Sequence, residues 1–515
     1  MTVFKQILLM LPVCFGLLSG ALYAGTGKKD AKDRGFSMPA VITLISVQFV
    51  LSVLSLVFGA ESVTLFSLTS RISLSFKKDI VATGFSGLVS VMFFLTGIYA
   101  VFYMRHDDNK HIESENVSTL HAKTFFGFFL IVWAVLVGLG STANLISFYF
   151  LYEIMSVTSV ILVMHEMTKE AIYASKKYLY YSIGGASMSL FGMVALYNVT
   201  GGDLSFIEGG DPAFSLLNSM TAGKHTLVLI AVLMMIIGFG AKAGMFPLHG
   251  WLPSAHPVAP APASAVLSGV ITKAGVLGIF RVIYFVVGTG ELKGTWVQHV
   301  FIALTLVTVF MGSMLAYKEK VFKKRLAYST VSQVSYVLFG VACMNPLALM
   351  GAFLHVMFHS VLKTTLFLNA GTVIYASDKH EVTEFTGIGK QLPLTFLSFS
   401  VAALGLVGIP PICGFVSKWY LCLGSLDLNS KVEGYLGVAV LLISALLTAG
   451  YLLSITIVAF FPGEDFDNKE GNYEKDGRVP KGMIVVMLVL AIASIILGIM
   501  AKPFYNALFD FVYRL

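Results

Sequence analysis

The sequence predicts an all-α polytopic membrane protein, and three observations carry that prediction. Of the 515 residues, 57% are hydrophobic and only 12% charged, whereas soluble globular domains carry about 25% charged residues. Apolar runs of about 20 residues, the length a helix needs to cross a bilayer, recur along the whole chain. These runs lack the alternation of a barrel strand, and backbone N–H and C=O groups cannot go unpaired in hydrocarbon, so helices are the spanning form left to them.

Taken in order, about 14 runs can be read: 4–24, 40–60, 81–104, 124–140, 143–165, 178–199, 225–246, 260–288, 297–317, 326–345, 347–376, 393–425, 434–461 and 482–508. The first, with Lys5 and the sequence ALYAG at Ala21 to Gly25, also has the form of a cleavable signal peptide. It is read here as helix one. The four cysteines, Cys14, Cys343, Cys413 and Cys422, lie in apolar context without C-x-x-C spacing. That excludes an iron–sulfur or thiolate zinc site built from this chain alone and makes them small core residues. No cofactor or metal is expected.

The formal net charge is +7. Assigning Lys and Arg to alternate loops gives a split of roughly 21 to 7, and cytoplasmic loops should hold the excess. Lys28, Lys29, Lys32, Arg34 and Lys469 fall on the rich side, and Arg71 on the poor side. Both termini are therefore expected on the outer face of the cell membrane. No basic stripe is interleaved with aromatics, so the charge does not point to nucleic acid.

Four lysines are left inside the runs: Lys242, Lys273, Lys363 and Lys418. Glu153 joins them, with uncharged residues for about ten positions to either side. A charge at the centre of a spanning helix costs about 2.5–3.5 kcal/mol on insertion scales, so several are tolerated only in a wet or paired interior. Lys242 and Lys418, nearer the ends of their runs, have snorkelling as the plain alternative. For Glu153 it is a structural ion pair, and for Lys363 and its neighbours simple helix-packing polarity. The functional reading rests on chemistry. Desolvation disfavours a lysine ammonium and a nearby carboxylate favours it, so moving that carboxylate makes the lysine hold or release a proton.

In HVMFHSVLKTTLF, His355, His359 and Lys363 recur every four residues and so share one helical face. Val356 stands where an H-E-x-x-H zinc site needs its glutamate, so the trio reads as proton wire rather than metal site. Helix breaks fall beside the other charges: Gly238, Gly240 and Gly244 around Lys242, and Pro410, Pro411 and Gly414 before Lys418. Unwound backbone at membrane depth is tolerated where it lines a cavity or is buried in protein, and paired interruptions in two halves mark inverted-repeat transporters. With 124–288 (helices four to eight) and 289–462 (helices nine to thirteen) as the halves, each break lies in the fourth helix of its half. Residues 1–123 then hold the first three helices, and 463–515 a loop and the last helix.

With these residues in hand, the chain resembles the antiporter-like subunits shared by respiratory complex I, membrane-bound group 4 hydrogenases and Mrp-type Na⁺/H⁺ antiporters. The resemblance is carried by KAGMFPLHGWLPSAHPVAPAPASAVLSGVITKAG, KKRLAYSTVSQVSYVL, HVMFHSVLKTTLF and GIPPICGFVSKW. It implies fourteen helices with two inverted five-helix repeats and a proton path along the middle of the membrane. It maps Glu153 to the helix-five glutamate that pairs with the helix-seven lysine, Lys242 to that lysine, and Lys273 to the connecting lysine of helix eight. Lys418 maps to the terminal residue of helix twelve, and His355 and His359 to histidines of helix eleven. His256 is retained in the loop after helix seven, but Ser254 stands where relatives often carry an aspartate.

The expected function is thus a proton-translocating subunit of a hetero-oligomeric membrane pump, its path running through Glu153, Lys242, Lys273, His256, His355, His359, Lys363 and Lys418. The partners implied are other membrane subunits, further antiporter-like subunits among them, and a redox module that does the electron transfer. The alternative is a subunit of a stand-alone Mrp-type Na⁺/H⁺ antiporter without electron transfer. An intramembrane enzyme lacks a paired nucleophile or G-x-S-x-G turn, and a transporter working alone has no substrate signature.

Overall fold

The computed structural model describes residues 2–26, 36–67, 69, 72–113, 122–214, 221–463 and 471–515. Lys28, Lys29, Lys32, Arg34, Arg71 and Lys469 lie outside the described residues. The first six helices are α1 (Thr2–Gly25), α2 (Met38–Phe58), α3 (Ile80–Glu113), α4 (Ala122–Gly140), α5 (Leu145–Val163) and α6 (Lys169–Val199). Next come α7 (Ala222–Ala243), α8 (Leu252–Val258), α9 (Ala261–Val287) and α10 (Thr289–Leu292). The chain continues through α11 (Trp296–Lys318), α12 (Phe322–Ala342), α13 (Pro346–Ser377), α14 (Ile388–Gln391), α15 (Pro393–Val407) and α16 (Gly414–Leu426). It closes with α17 (Lys431–Phe460), α18 (Lys481–Ile499) and α19 (Ala501–Arg514).

Local chemistry sets the boundaries. Asn144 caps α5 by accepting from the Ser147 N–H at 2.7 Å, and Asn345 caps α13 by accepting from Ala348 at 2.9 Å. Pro39 and Pro346 occupy the first turns of α2 and α13, where a missing N–H costs nothing. Gly244 (φ 80°) and Gly408 (φ 99°) end α7 and α15 in the left-handed region, where a Cβ is disfavoured.

Among the described residues, 12 helices are long and apolar enough to cross a membrane, against the fourteen runs read from the sequence. Two runs account for the difference. The run 326–345 forms a 21-residue helix, but Ser329, Thr330, Ser332, Gln333 and Ser335 make it polar along its length. The run 393–425 divides at Gly408 into α15 and α16, each too short to span alone. The last run also ends early: α18 stops at Ile499, and Pro503, without an N–H, sits in the first turn of the separate α19. A two-stranded antiparallel hairpin, β1 (Ser62–Ser67) and β2 (Ser73–Lys77), stands outside the all-α plan. Asn144 donates to the Ser75 hydroxyl at 2.7 Å and so fixes the hairpin to the start of α5.

The helix that matters most for the site is α9. It is enclosed along its whole length, so its apolar residues need no lipid-facing stripe. It carries two π-helical segments, Leu267–Ile271 and Val282–Val287. Such wide turns are rare and concentrate at functional sites. Its C-terminal part is tied by the buried Arg281, which donates to both Asp79 carboxylate oxygens at 2.7 and 3.0 Å and lies over Phe206 and Phe285. Asp79 in turn accepts from the Ala82 N–H at the start of α3.

Candidate functional site: a line of buried amines and imidazoles

Lys242 sits in the last turn of α7 and is fully buried. Burial rules out snorkelling. Its Nζ donates to the Tyr178 hydroxyl at 2.6 Å, Ser156 at 3.1 Å and Ser182 at 3.3 Å, and rests 4.3 Å from the centre of the Tyr178 ring. Tyr178 is held in turn by Ser159 at 2.7 Å. Trp251 closes the cage, its indole N–H donating to the Ala241 carbonyl at 2.7 Å. Two helices supply the hydroxyls: Ser156 and Ser159 from α5, Tyr178 and Ser182 from α6, four residues apart on one face.

Glu153 lies one turn before Ser156 on α5, half-buried, and accepts from the Tyr149 hydroxyl at 3.0 Å. It makes no ion pair with Lys242 within 4.0 Å. The two charges share a neighbourhood but are held apart, each on hydroxyls.

Lys273, on α9, is also buried. Its Nζ donates to the Ser268 carbonyl inside the first π segment and to His359 Nδ1, 2.8 Å away on α13. When Lys273 carries its proton, this Nδ1 is the acceptor, and the His359 ring proton is then on Nε2. One turn back along α13, the His355 ring lies 5.8 Å from that of His359, stacked on Tyr336 at 5.5 Å. His355 Nδ1 is 2.9 Å from the Ser417 hydroxyl of α16. The next residue is Lys418, whose Nζ donates to the carbonyls of Leu406 and Val407 at 2.6 and 2.9 Å. Lys418 thus satisfies the open C-terminal carbonyls that the break between α15 and α16 leaves behind. Tyr336 links the two, its ring 5.1 Å from the Lys418 nitrogen.

The side chains Lys273, His359, His355, Ser417 and Lys418 therefore form one file across α9, α13 and α16, hydrogen-bonded at Lys273–His359 and His355–Ser417 and stacked between the two imidazoles. Lys242 reaches it through backbone contact. At Gly275, two residues past Lys273, α9 lies so close to α7 that an added Cβ would stand 2.8 Å from the Ala243 nitrogen and 3.2 Å from the Lys242 Cβ. Two expected members lie off the file. Lys363 is buried and donates to the Leu326 carbonyl of α12 at 3.0 Å. His256 is buried with its ring 4.5 Å from that of Phe367, and its ring nitrogens have no hydrogen-bond partner.

Tyr178, Ser156, Ser182, Ser417 and Tyr336 were not expected. A signal existed for Ser156, three residues after Glu153, and for Ser417, beside Lys418. Nothing in the spacing shows that residues 156, 178 and 182 converge on 242.

A helical bundle that buries one lysine at the end of α7 and others on α9 and beside the break between α15 and α16, with histidines joining the last two, is the architecture of an antiporter-like membrane protein. Known proteins agree with that reading. This chain belongs to the NADH:quinone oxidoreductase/Mrp antiporter transmembrane family, whose pattern matches residues 142–461. It is 35% identical over 384 residues to NADH-quinone oxidoreductase subunit N of Desulforudis audaxviator, covering 73% of this chain and 74% of that one. It is 27% identical over 504 residues to a Na⁺/H⁺ antiporter subunit of Alkalihalophilus pseudofirmus, covering 97% and 95%. Hydrogenase-4 component B of Escherichia coli is 30% identical, with 81% of this chain and 61% of that one covered. The fold matches a chain of the Mrp complex from Dietzia sp. with a TM-score of 0.79 at 22% identity, over 98% of this chain and 96% of that one. It matches a chain of respiratory complex I from Thermus thermophilus equally well, at 0.79 and 19% identity, over 98% of each. The chain is a multi-pass, antiporter-like subunit of the kind shared by complex I, membrane hydrogenases and Mrp complexes, and its relatives work as parts of multi-subunit membrane assemblies.

Proposed function

We propose that this subunit moves protons along the middle of the membrane through Glu153, Lys242, Lys273, His359, His355 and Lys418, driven by a redox module elsewhere in its complex. The observation that carries the reading is the 2.8 Å contact between Lys273 and His359, which joins α9 to α13. A lysine and an imidazole at this distance can pass a proton without rearrangement of either helix. The two halves are read as inverted repeats, 124–288 and 289–462, each with a broken helix and a lysine beside it.

In the proposed cycle, a signal from a neighbouring subunit changes the distance between Glu153 and Lys242. With the carboxylate away, the ammonium keeps only hydroxyl partners, and its proton is driven on toward Lys273. Lys363 and His256 flank the path and set its field without relaying. The complex sits in the cell membrane with both termini outside, as the loop charges require. A thiol-reactive, membrane-impermeant probe should therefore label a cysteine introduced at Leu515 in intact cells.

The test is Lys273→Ala in the assembled complex, with proton movement followed in vesicles. Loss of proton movement with an intact complex on a native gel is expected; normal movement would falsify the relay. A second reading, a Na⁺/H⁺ exchange subunit without electron transfer, is favoured by the nearly end-to-end match to the Alkalihalophilus pseudofirmus antiporter chain. Purification with partners decides: subunits with flavin, iron–sulfur or nickel centres support the redox reading, and small hydrophobic partners without them support exchange.

A further inference from the structure

An apolar cavity of about 100 Å³ runs from the start of α3 inward to Lys273. Its walls come from α3, α9, α12, α13 and α19, and Lys273 is their only polar side chain. At its mouth are Ile80, Gly84 and Leu88 of α3, all partly or fully exposed, with Met357 and Leu508 opposite. The deep wall is closed by Phe280, Val337, Val341 and Ala352, all buried.

The lining decides what fits. Water needs two to four polar partners to occupy a cavity stably, and one lysine already bonded to Ser268 and His359 cannot supply them. The mouth opens along spanning helices, where the molecules at hand are lipids. Just before Ile80, where β2 ends and α3 begins, stand Lys77, exposed, and Lys78, partly exposed, its ammonium on the Val57 carbonyl at 3.3 Å with donors to spare. The neighbouring Asp79 is neutralised by Arg281. Two cations thus mark the polar end of an apolar slot, the pattern that selects an anionic headgroup over a neutral one.

We propose that this slot holds one acyl chain of an anionic phospholipid, its headgroup on Lys77 and Lys78 and its tail ending beside Lys273. Each buried methylene contributes about 0.8 kcal/mol relative to water, and the chain fills space that lipid or protein must otherwise close. Resting on the relay reading, the tail also keeps the lateral side of Lys273 dry, so that its proton leaves through His359 and not toward the bilayer. The lipid site itself stands or falls without that reading, because its test measures binding.

The test uses the complex purified with its partners and reconstituted with phosphatidylglycerol bearing a photoreactive acyl chain, followed by peptide mapping. Label should concentrate on Ile80–Leu88, Met357 and Leu508. Gly84→Phe should abolish it, since a Cβ at Gly84 meets nothing within 4 Å and Gly84 lines the slot; an unchanged native-gel band and thermal midpoint show that the fold is kept. Lys77→Gln with Lys78→Gln should remove the preference for phosphatidylglycerol over phosphatidylcholine. Label spread evenly to exposed positions such as Leu442 and Leu446 of α17, unchanged by Gly84→Phe, would overturn the proposal. So would protection of the slot in the complex, which would put a partner's helix there. Equal capture of the two headgroups by the unaltered protein would overturn the anionic assignment.

Discussion

Tyr178 is the residue on which Lys242 most depends. Its hydroxyl accepts the shortest of the three bonds from the ammonium, 2.6 Å, and its ring lies against the same charge. Hydrogen bonds to charged groups contribute about 1.5–3 kcal/mol. Tyr178→Phe keeps the ring and the packing but removes that bond, leaving Lys242 with two serines. Proton movement should slow about tenfold or more, while assembly on a native gel stays as in the unaltered protein. Unchanged turnover would mean that the cage only fills space. Lys363 behaves differently, because its amine ends on the Leu326 carbonyl rather than on a titratable group. Lys363→Met should therefore slow transport less than Lys273→Met in the same vesicle assay.

At the scale of elements, the contact between α7 and α9 is made backbone to backbone at Gly275. A Cβ there meets the Phe239 carbonyl and the Ala243 nitrogen, neither of which can swing aside as a side chain would. Overpacking of this kind costs about 1–3 kcal/mol. Gly275→Ala should lower the thermal midpoint and impair transport together, because parting the helices also moves Lys242 from its hydroxyls. Gly184→Ala, where the methyl meets open space on an exposed face of α6, serves as the control and should leave both unchanged. The turn between α11 and α12 offers a second element-scale test. Burial disfavours the charged Glu319 carboxylate, but the Lys324 ammonium at 2.8 Å and the N–H groups of Lys320 and Val321 outweigh it and hold its carboxyl below the usual value. A depressed carboxyl stabilises the fold fully above the unfolded value, about 4.3. That contribution fades as pH falls through the folded value. The acid limb of a melting-temperature profile should therefore be shallower in Glu319→Gln than in the unaltered protein; parallel limbs would count against this anchor.

For the whole molecule, what was legible in the sequence was what stands out chemically against an apolar background. Glu153, Lys242, Lys273, Lys363 and Lys418 announce themselves because a charge in a spanning run is costly, and GIPPIC announces a break because proline and glycine cannot continue a helix. Convergence was not legible. The Lys242 cage draws on three helices whose residues differ by up to 86 positions, and serine and tyrosine are too common in membrane helices to be singled out. The π segment that presents the Ser268 carbonyl to Lys273 has no composition of its own, and β1, SVTLFS, is too short to separate from loop. What emerges only in three dimensions is the serial order of the groups, and that order has a kinetic consequence. Residues that act on one barrier contribute free energies that sum, so their fold-effects on rate multiply. Residues on successive steps act as resistances in series, and the slowings then add. Tyr178→Phe acts at the Lys242 end of the path, and Ser417→Ala, which removes the 2.9 Å partner of His355, acts at the Lys418 end. If the file is one path, the double variant should transport at close to the rate set by the sum of the two single delays, measured as initial proton flux in vesicles at equal complex content. A double variant slowed by the product of the two effects would place both residues on a single step, and the file of amines and imidazoles would then be a shared field rather than a wire.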